Sequence, residues 1–271
     1  MCRLTVVLSS KLLDQNSIKQ LLWFGPNSIF KQSYSMPYTP HDEDNPFNHK
    51  INLDGYGVGY YHHGVPFIHK DVIMSWNDYN FLQLTRIMQT RLLLVHVRAT
   101  GRLQDSEKIG CSPVHRYNCH PFSHQKWMFA HNGYLDSWCC GAGRKKIMNE
   151  IDDQLLVQIK GTTDTEHLFY LIMTYLERMD DDTDGSVKKA VWEAVNFVSG
   201  LAGDKMTIIN CVLTDGVRLF GLRYINQTGK FPPSLYIKTG QQTIISSEPI
   251  DKEDGWELIP PNKIVTVTYV G

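Results

Sequence analysis

The apolar positions of the chain fall into short strand-like runs, two strongly periodic helices and long polar connections. Leu4-Thr5-Val6-Val7-Leu8 is a short apolar run, read as a strand buried from almost the first residue. Residues 15–24 suit a helix, and residues 25–50, with four prolines and many polar side chains, suit a long irregular segment. Ile51 to Tyr61 reads as a strand interrupted by Gly55, Gly57 and Gly59, with Val65 to His69 as its hairpin partner. Trp76 to Thr90 is the next predicted helix and Leu92 to Val97 the next strand. A loop over 99–121 and a short strand from Trp127 to Ala130 follow, the latter leading into His131-Asn132-Gly133. Leu168, Ile172, Tyr175 and Met179 share one face of a helix predicted from Thr163 to about Met179. Thr163-Asp164-Thr165-Glu166 fits a capping box at its start. Val187, Val191, Ala194 and Val198 are in phase over a second helix, Gly185 to Ser199. The remainder reads as β structure. Met206 to Leu213 and Val217 to Tyr224 flank the turn signal Asp215-Gly216. Ser234 to Lys238, Thr243 to Ser246 and Ile264 to Tyr269 are further strands.

Leu92 to Val95 is apolar at every position, and Ile208 to Leu213 at every position but Asn210. Strands apolar on both alternating faces need cover on both sides. The hairpins, in turn, require antiparallel pairing. Stacked sheets with helices outside, not wound in the Rossmann manner, satisfy both conditions.

Composition narrows the function. The 271 residues carry 27 Lys plus Arg against 28 Asp plus Glu, a formal charge of -1, which argues against a general nucleic-acid binder. With 42% hydrophobic and 20% charged residues the chain suits a soluble globular protein, and no run approaches a membrane span. No secretory core precedes Leu8, so a cytoplasmic location is expected and the six cysteines are read as free thiols. The sequon Asn226-Gln227-Thr228 then carries no glycan. His115, Cys119, His120, His124, His131, Cys139 and Cys140 cluster in sequence, but their spacings fit none of the usual zinc ligand pairs. Gly55-x-Gly57-x-Gly59 lies within a strand and is not a dinucleotide fingerprint. It is read as a strand that lets another chain or a substrate approach closely.

Cys2 is the most informative residue. Removal of Met1 would make it N-terminal, with an α-amine beside its own thiol. An α-amine titrates at about 7.7–8.0 and serves as a general base near neutral pH. Arg98, in His96-Val97-Arg98-Ala99-Thr100, could hold a carboxylate through two parallel hydrogen bonds. The Asn132 amide and the Gly133 N–H could form an oxyanion hole. Asp164 could hold a substrate ammonium. Each residue alone has a plainer structural explanation: a buried thiol, a structural ion pair, a turn, a helix cap.

Together, Met1-Cys2-Arg3, His96 to Thr100, His131-Asn132-Gly133 and Thr163 to Glu166 resemble the class II glutamine amidotransferases, which are N-terminal-nucleophile hydrolases. Asn52-Leu53-Asp54-Gly55-Tyr56-Gly57-Val58-Gly59-Tyr60-Tyr61, Asn118-Cys119-His120-Pro121-Phe122 and Ser246-Ser247-Glu248-Pro249 bring the resemblance closest to one stand-alone branch. That branch comprises the amidotransferase-like subunits of the fungal γ-glutamyl peptidases that degrade glutathione. The resemblance implies an α/β protein of the α+β type, a four-layer αββα sandwich of two mainly antiparallel sheets, in a single domain over residues 2–271. It implies hydrolysis of a γ-glutamyl amide through a Cys2 thioester, with Asn132 and Gly133 at the oxyanion and no cofactor or metal. Arg98 and Asp164 would bind the substrate zwitterion, and Thr100 and His131, inside the matched motifs, are placed with them. The length leaves no room for a synthase domain, so direct hydrolysis or service to a separate peptidase or synthase subunit is expected. Nucleic acid and membrane are not expected partners. Two alternatives remain open at this point. One is a binding subunit that keeps the fold without turnover. The other is a Cys–His hydrolase using Cys119 or Cys140 with His120 or His131.

Overall fold

The structure, a computed structural model, describes residues 2–35, 52–100, 112–227 and 233–268. Twelve strands and seven α-helices are present among them. In chain order the first elements are β1 (Arg3–Ser9), α1 (Gln15–Lys19), β2 (Tyr56–His62), β3 (Val65–Asp71), α2 (Tyr79–Leu84) and β4 (Leu92–Val97). Next come β5 (Phe122–His124), β6 (Trp127–Leu135), α3 (Asp136–Cys139), α4 (Gly141–Glu150), α5 (Asp153–Leu156), α6 (Asp164–Glu177) and α7 (Asp184–Ala202). The chain continues through β7 (Thr207–Thr214), β8 (Arg218–Ile225), β9 (Tyr236–Lys238), β10 (Gln242–Ser246), β11 (Glu257–Leu258) and β12 (Lys263–Thr268).

Seven strands form one sheet in the order β11-β9-β10-β1-β4-β2-β3, and five form another in the order β12-β8-β7-β6-β5. Every pairing is antiparallel. Alternation along each strand sends successive side chains to opposite faces. Leu4, Val6, Leu8, Leu92, Leu94, Met128, Ala130 and Val212 therefore pack together between the sheets. Val7, Leu93, Val95 and Val58 point the other way, onto α1, α2 and the segment around Ile29 and Phe30. Phe129, Ile209, Cys211 and Leu213 meet α4 to α7 on the far side of the second sheet. The result is the four-layer αββα sandwich, and the doubly apolar strands β1, β4 and β7 are its buried centre.

Several boundaries differ from expectation. The predicted helix from Trp76 to Thr90 shrinks to a 3₁₀ turn, Ser75–Asn77, and α2. Asp78 separates them: its ψ of 83° interrupts the helix, and its carboxylate caps Phe81 N at 2.7 Å. The helix over 15–24 is α1 followed by a wider π-helical turn, Gln20–Phe24. The strand after Trp127 does not stop at Ala130. It runs to Leu135, because β7 pairs with it residue for residue from Thr214 to Thr207. β5, α3, α4, α5 and the two-residue β11 have no counterpart among the expected elements. The predicted loop over 99–121 contains a 3₁₀ turn, Arg116–Asn118, and its residues 101–111 lie outside the described residues. The same holds for 36–50 of the irregular segment, for Ile51 and Tyr269 of the predicted strands, for Thr228 of the sequon, and for Met1.

The glycines of β2 act as expected. Gly57 and Gly59 lie opposite His96 and Leu94, on the face toward the second sheet. A Cβ on Gly57 would stand 2.1 Å from the His120 carbonyl oxygen, and one on Gly59 2.8 Å from Pro121 Cγ. The missing side chains let the 119–122 segment enter between the sheets.

Candidate active site

β1 and β4 run antiparallel with Arg3 opposite Val97. The start of one and the end of the other therefore meet, and this places Cys2 beside Arg98 and Ala99. The half-buried Cys2 Sγ accepts from Ala99 N at 3.3 Å and lies 3.5 Å from Ala99 O, within reach of its own S–H. The following residues are held firmly. Leu4 N donates to Ser247 Oγ at 3.0 Å, and Ser247 N to Leu4 O at 2.9 Å. The guanidinium of Arg3 faces Glu248 at 4.0 Å, both side chains being almost fully buried. Burial lowers the Arg3 pKa, and the Glu248 carboxylate opposes that shift. A charge buried this deeply requires such a partner.

Arg98 is 4% exposed. It donates from Nη1 to Pro113 O at 3.0 Å and from Nη2 to Ser112 O at 2.9 Å. Two of the five guanidinium donors are thereby used. Its main chain is tied to the turn before β2: Arg98 N donates to Gly55 O, and Asp54 N to Arg98 O. Asp54 also accepts from Thr100 N at 2.7 Å and from Thr100 Oγ1 at 2.8 Å. The Thr100 hydroxyl thus fixes the strand end.

Asn132 continues the row Met128, Ala130 on the inner face of β6, as Cys2 continues the row Leu4, Val6 on the facing sheet. The Asn132 side chain is 1% exposed, and neither its Nδ2 nor its Oδ1 has a hydrogen-bond partner. An unsatisfied buried amide is costly, and such groups in a fold call for an explanation. Gly133 is obligatory: a Cβ there would stand 2.0 Å from Ile208 O and 2.3 Å from His131 Nε2. Asn132-Gly133 is therefore paired strand, opposite Asn210 and Ile209, and not the turn its composition suggests.

His131 points away from Cys2, to the helix side of β6. Its Nε2 donates to Ile208 O at 3.1 Å, so in the neutral ring Nδ1 accepts from Thr165 Oγ1 at 3.0 Å. Burial lowers its pKa, against the pull of Asp164. Asp164, partly exposed, accepts from Thr165 N at 2.7 Å. Thr163 caps α6 through Glu166 N at 3.1 Å, but the reciprocal half of the expected box is absent. Glu166 turns instead to Lys160 N and Gly161 N, at 3.1 and 2.7 Å.

Two groupings therefore emerge, Cys2 with Arg98 and Thr100, and Asp164 with His131. His96 spans them, donating from Nε2 on β4 to His131 O at 3.2 Å. Burial pushes its pKa down to about 3, which keeps the ring neutral. Asp54, Glu248 and His96 lie in or beside motifs that the sequence singles out, yet their partners are distant in the chain. Cys119, the internal candidate nucleophile, is buried. Its Sγ faces the Asp71 and His115 carbonyls, and burial raises its pKa to about 11. No imidazole activates it. Cys140 is exposed at the start of α4, with Gly143 N on its sulfur. Among the described residues no group of three His, Cys, Asp or Glu side chains could hold a metal ion, and no helix is long and apolar enough to cross a membrane.

Comparison with known proteins agrees with this geometry. Residues 27–228 match the family described as glutamine amidotransferases class-II. The yeast protein named "Probable glutamine amidotransferase DUG3" (Saccharomyces cerevisiae) is 26% identical over 262 residues, 80% of this chain and 70% of its own. The γ-glutamyl-hercynylcysteine sulfoxide hydrolase of Mycobacterium tuberculosis is 22% identical over 95% of this chain and 90% of its own. Among solved structures, a class-II domain protein from Silicibacter pomeroyi superposes with a TM-score of 0.64 at 21% identity, covering 98% of this chain and 95% of that one. The phosphoribosylpyrophosphate amidotransferase of B. subtilis superposes at 0.58 and 14% identity, over 98% of this chain and 47% of that one. These two likenesses show the fold. With the family matched over most of its length, the chain belongs to the class II glutamine amidotransferases.

Proposed function

We propose that the protein hydrolyses a γ-glutamyl amide, either glutamine or a γ-glutamyl peptide such as glutathione, through a Cys2 thioester in one domain spanning residues 2–271. The observation that carries this reading is that two groups end the inner rows of β1 and β6, whose apolar members pack together between the sheets. One is the Cys2 thiol, held on Ala99 N at 3.3 Å beside Arg98. The other is the buried, unpartnered amide of Asn132 on the facing sheet. Once Met1 is removed, the Cys2 α-amine takes the thiol proton and Sγ attacks the γ-carbonyl carbon. Negative charge on the carbonyl oxygen is met by Asn132 Nδ2 and Gly133 N–H, each such donor being worth about 3–4 kcal/mol at sites of this kind. The C–N bond breaks as the α-ammonium protonates the leaving amine. Water then adds to the thioester, the α-amine accepts its proton, and glutamate leaves with the thiol restored. Arg98 takes the substrate α-carboxylate and Asp164 its α-ammonium. Thr100 and His131 keep those two groups in place. The names of the yeast and mycobacterial relatives support the γ-glutamyl class of substrate. A separate peptidase or synthase subunit would use the product without altering these steps.

Intact-mass spectra before and after the glutamine-like electrophile 6-diazo-5-oxo-L-norleucine, with Cys2→Ala alongside, test the proposal. Loss of Met1 and one adduct, absent from Cys2→Ala, is the expected result. Retained Met1 with no Cys2-dependent adduct would leave a binding subunit as the better reading.

A further inference from the structure

Asn118 stands outside the roles assigned so far, yet it joins the segment whose carbonyls receive the Arg98 guanidinium to the one that leads into Asp164. It is 2% exposed, at the end of the 3₁₀ turn Arg116–Asn118. Its Nδ2 donates to Pro113 O at 3.0 Å and to Thr162 Oγ1 at 3.2 Å, and its Oδ1 accepts from Thr162 N at 2.8 Å. Pro113 O is the same oxygen that receives Arg98 Nη1 at 3.0 Å. Thr162 stands two residues before Asp164, next to the cap of α6. A single amide thus connects the carbonyl that orients the guanidinium to the segment that leads into α6 and the Asp164 carboxylate. Ser112, whose carbonyl receives the other Arg98 nitrogen, repeats the link by donating from Oγ to Thr162 O at 3.1 Å. The fit is close. A Cβ on Gly161 would stand 2.5 Å from Asn118 Oδ1 and 2.7 Å from Glu166 Oε2. Glu166 holds the same segment through Lys160 N and Gly161 N.

We infer that Asn118 is a positioning residue that sets the separation between Arg98 and Asp164, and with it the fit of an α-amino-acid zwitterion. The inference rests on the proposed γ-glutamyl reading. Asn118 touches no reacting atom, so its loss should weaken recognition and leave the Cys2 thiol as reactive as before. Misplacement of a binding group by about 1 Å can cost about a hundredfold.

The test compares two alkylating agents at Cys2, followed on the N-terminal peptide by mass spectrometry. 6-Diazo-5-oxo-L-norleucine carries the α-carboxylate and α-ammonium, and iodoacetamide carries neither. In Asn118→Ala the rate constant with the first should fall about tenfold to a hundredfold, while that with iodoacetamide stays within twofold of the parent. Asn118→Asp is the same size and keeps the acceptor for Thr162 N but loses the donor to Pro113 O. It should show the same split and guards against a folding defect in the alanine variant, with melting curves as the check. Equal falls with both reagents in both variants would mean a structural role and overturn the inference, as would no change with either. A parent protein that iodoacetamide alkylates at Cys2 and the diazo compound does not would sink the γ-glutamyl reading itself, and this inference with it.

Discussion

At the scale of single residues, the site is marked by a side chain that the fold leaves unsatisfied. Asn132 makes no hydrogen bond through either side-chain atom although it is 1% exposed. Replacing a buried group that has no partner removes a desolvation penalty and breaks no bond. Asn132→Ala should therefore unfold at the same urea concentration as the parent or slightly above it. The same variant should lose about a hundredfold to a thousandfold in turnover, or in thioester formation measured by quench and mass spectrometry, if Nδ2 stabilises the oxyanion. A variant that loses stability and keeps activity would show that the amide serves the fold. The candidates Cys2, Arg98, Asn132 and Asp164 stand out in the sequence because they sit in short motifs. Their supports do not, because local spacing does not encode the partners. Thr100 finds Asp54 across 46 residues, and Leu4 finds Ser247 across 243.

At the scale of elements, periodicity predicts best where one face alone is buried. α7 lies within three residues of its expected ends because one apolar row of it packs on the core, whereas α6, buried at eleven of its fourteen positions, lies within two residues of its expected ends because the Thr163 cap marks its start. α4 buries only Gly143 and Ile147, too few positions for a period to show, and so it was missed. β6 was cut short because Asn132-Gly133 has turn composition, whereas the ladder to β7 overrides it. The same competition between local preference and close packing explains the β2 glycines and makes them testable. In Gly57→Ala the new methyl meets the His120 carbonyl oxygen at 2.1 Å, a backbone atom that cannot move alone. Overpacking of this kind typically costs about 1–3 kcal/mol. Gly200→Ala is the contrast, at an exposed position near the end of α7 with nothing within 4 Å of its Cβ. It should stabilise by up to about 1 kcal/mol, since alanine is the better helix former. Urea midpoints of the two variants should move in opposite directions. A parent-like midpoint for Gly57→Ala would mean that the 119–122 segment is not pinned between the sheets.

At the scale of the whole molecule, the αββα arrangement buries its polar groups in the same layers that hold the site, and this couples stability to pH. His96, His120, His131 and His167 are buried, and desolvation lowers the pKa of each below the ordinary 6.5, that of His96 to about 3. The folded protein resists protonating them, His96 and His120 most of all, while the unfolded chain takes up protons below about pH 6.5. Their contribution is therefore complete above pH 6.5 and is lost as the pH falls toward the folded values, because the unfolded state binds more protons. Glu166 acts in the opposite sense, since burial raises its pKa and the folded state then takes a proton first. Four groups against one leave a net loss of stability as the pH falls below about 6.5. The urea midpoint should accordingly drop between pH 6.5 and 5, before most carboxylates titrate, and the ring protons of His96 and His120 should show no titration over that range in NMR spectra of the folded protein. A midpoint that stays level from pH 7 to 5 would mean that these rings are protonated in the fold. His131 Nδ1 would then donate to Thr165, and the Thr165 hydroxyl would be free to turn to Asp164 Oδ1, 3.2 Å away. That reversal would alter the carboxylate proposed to hold the substrate ammonium, so the stability profile and the pH dependence of substrate binding should change over the same interval.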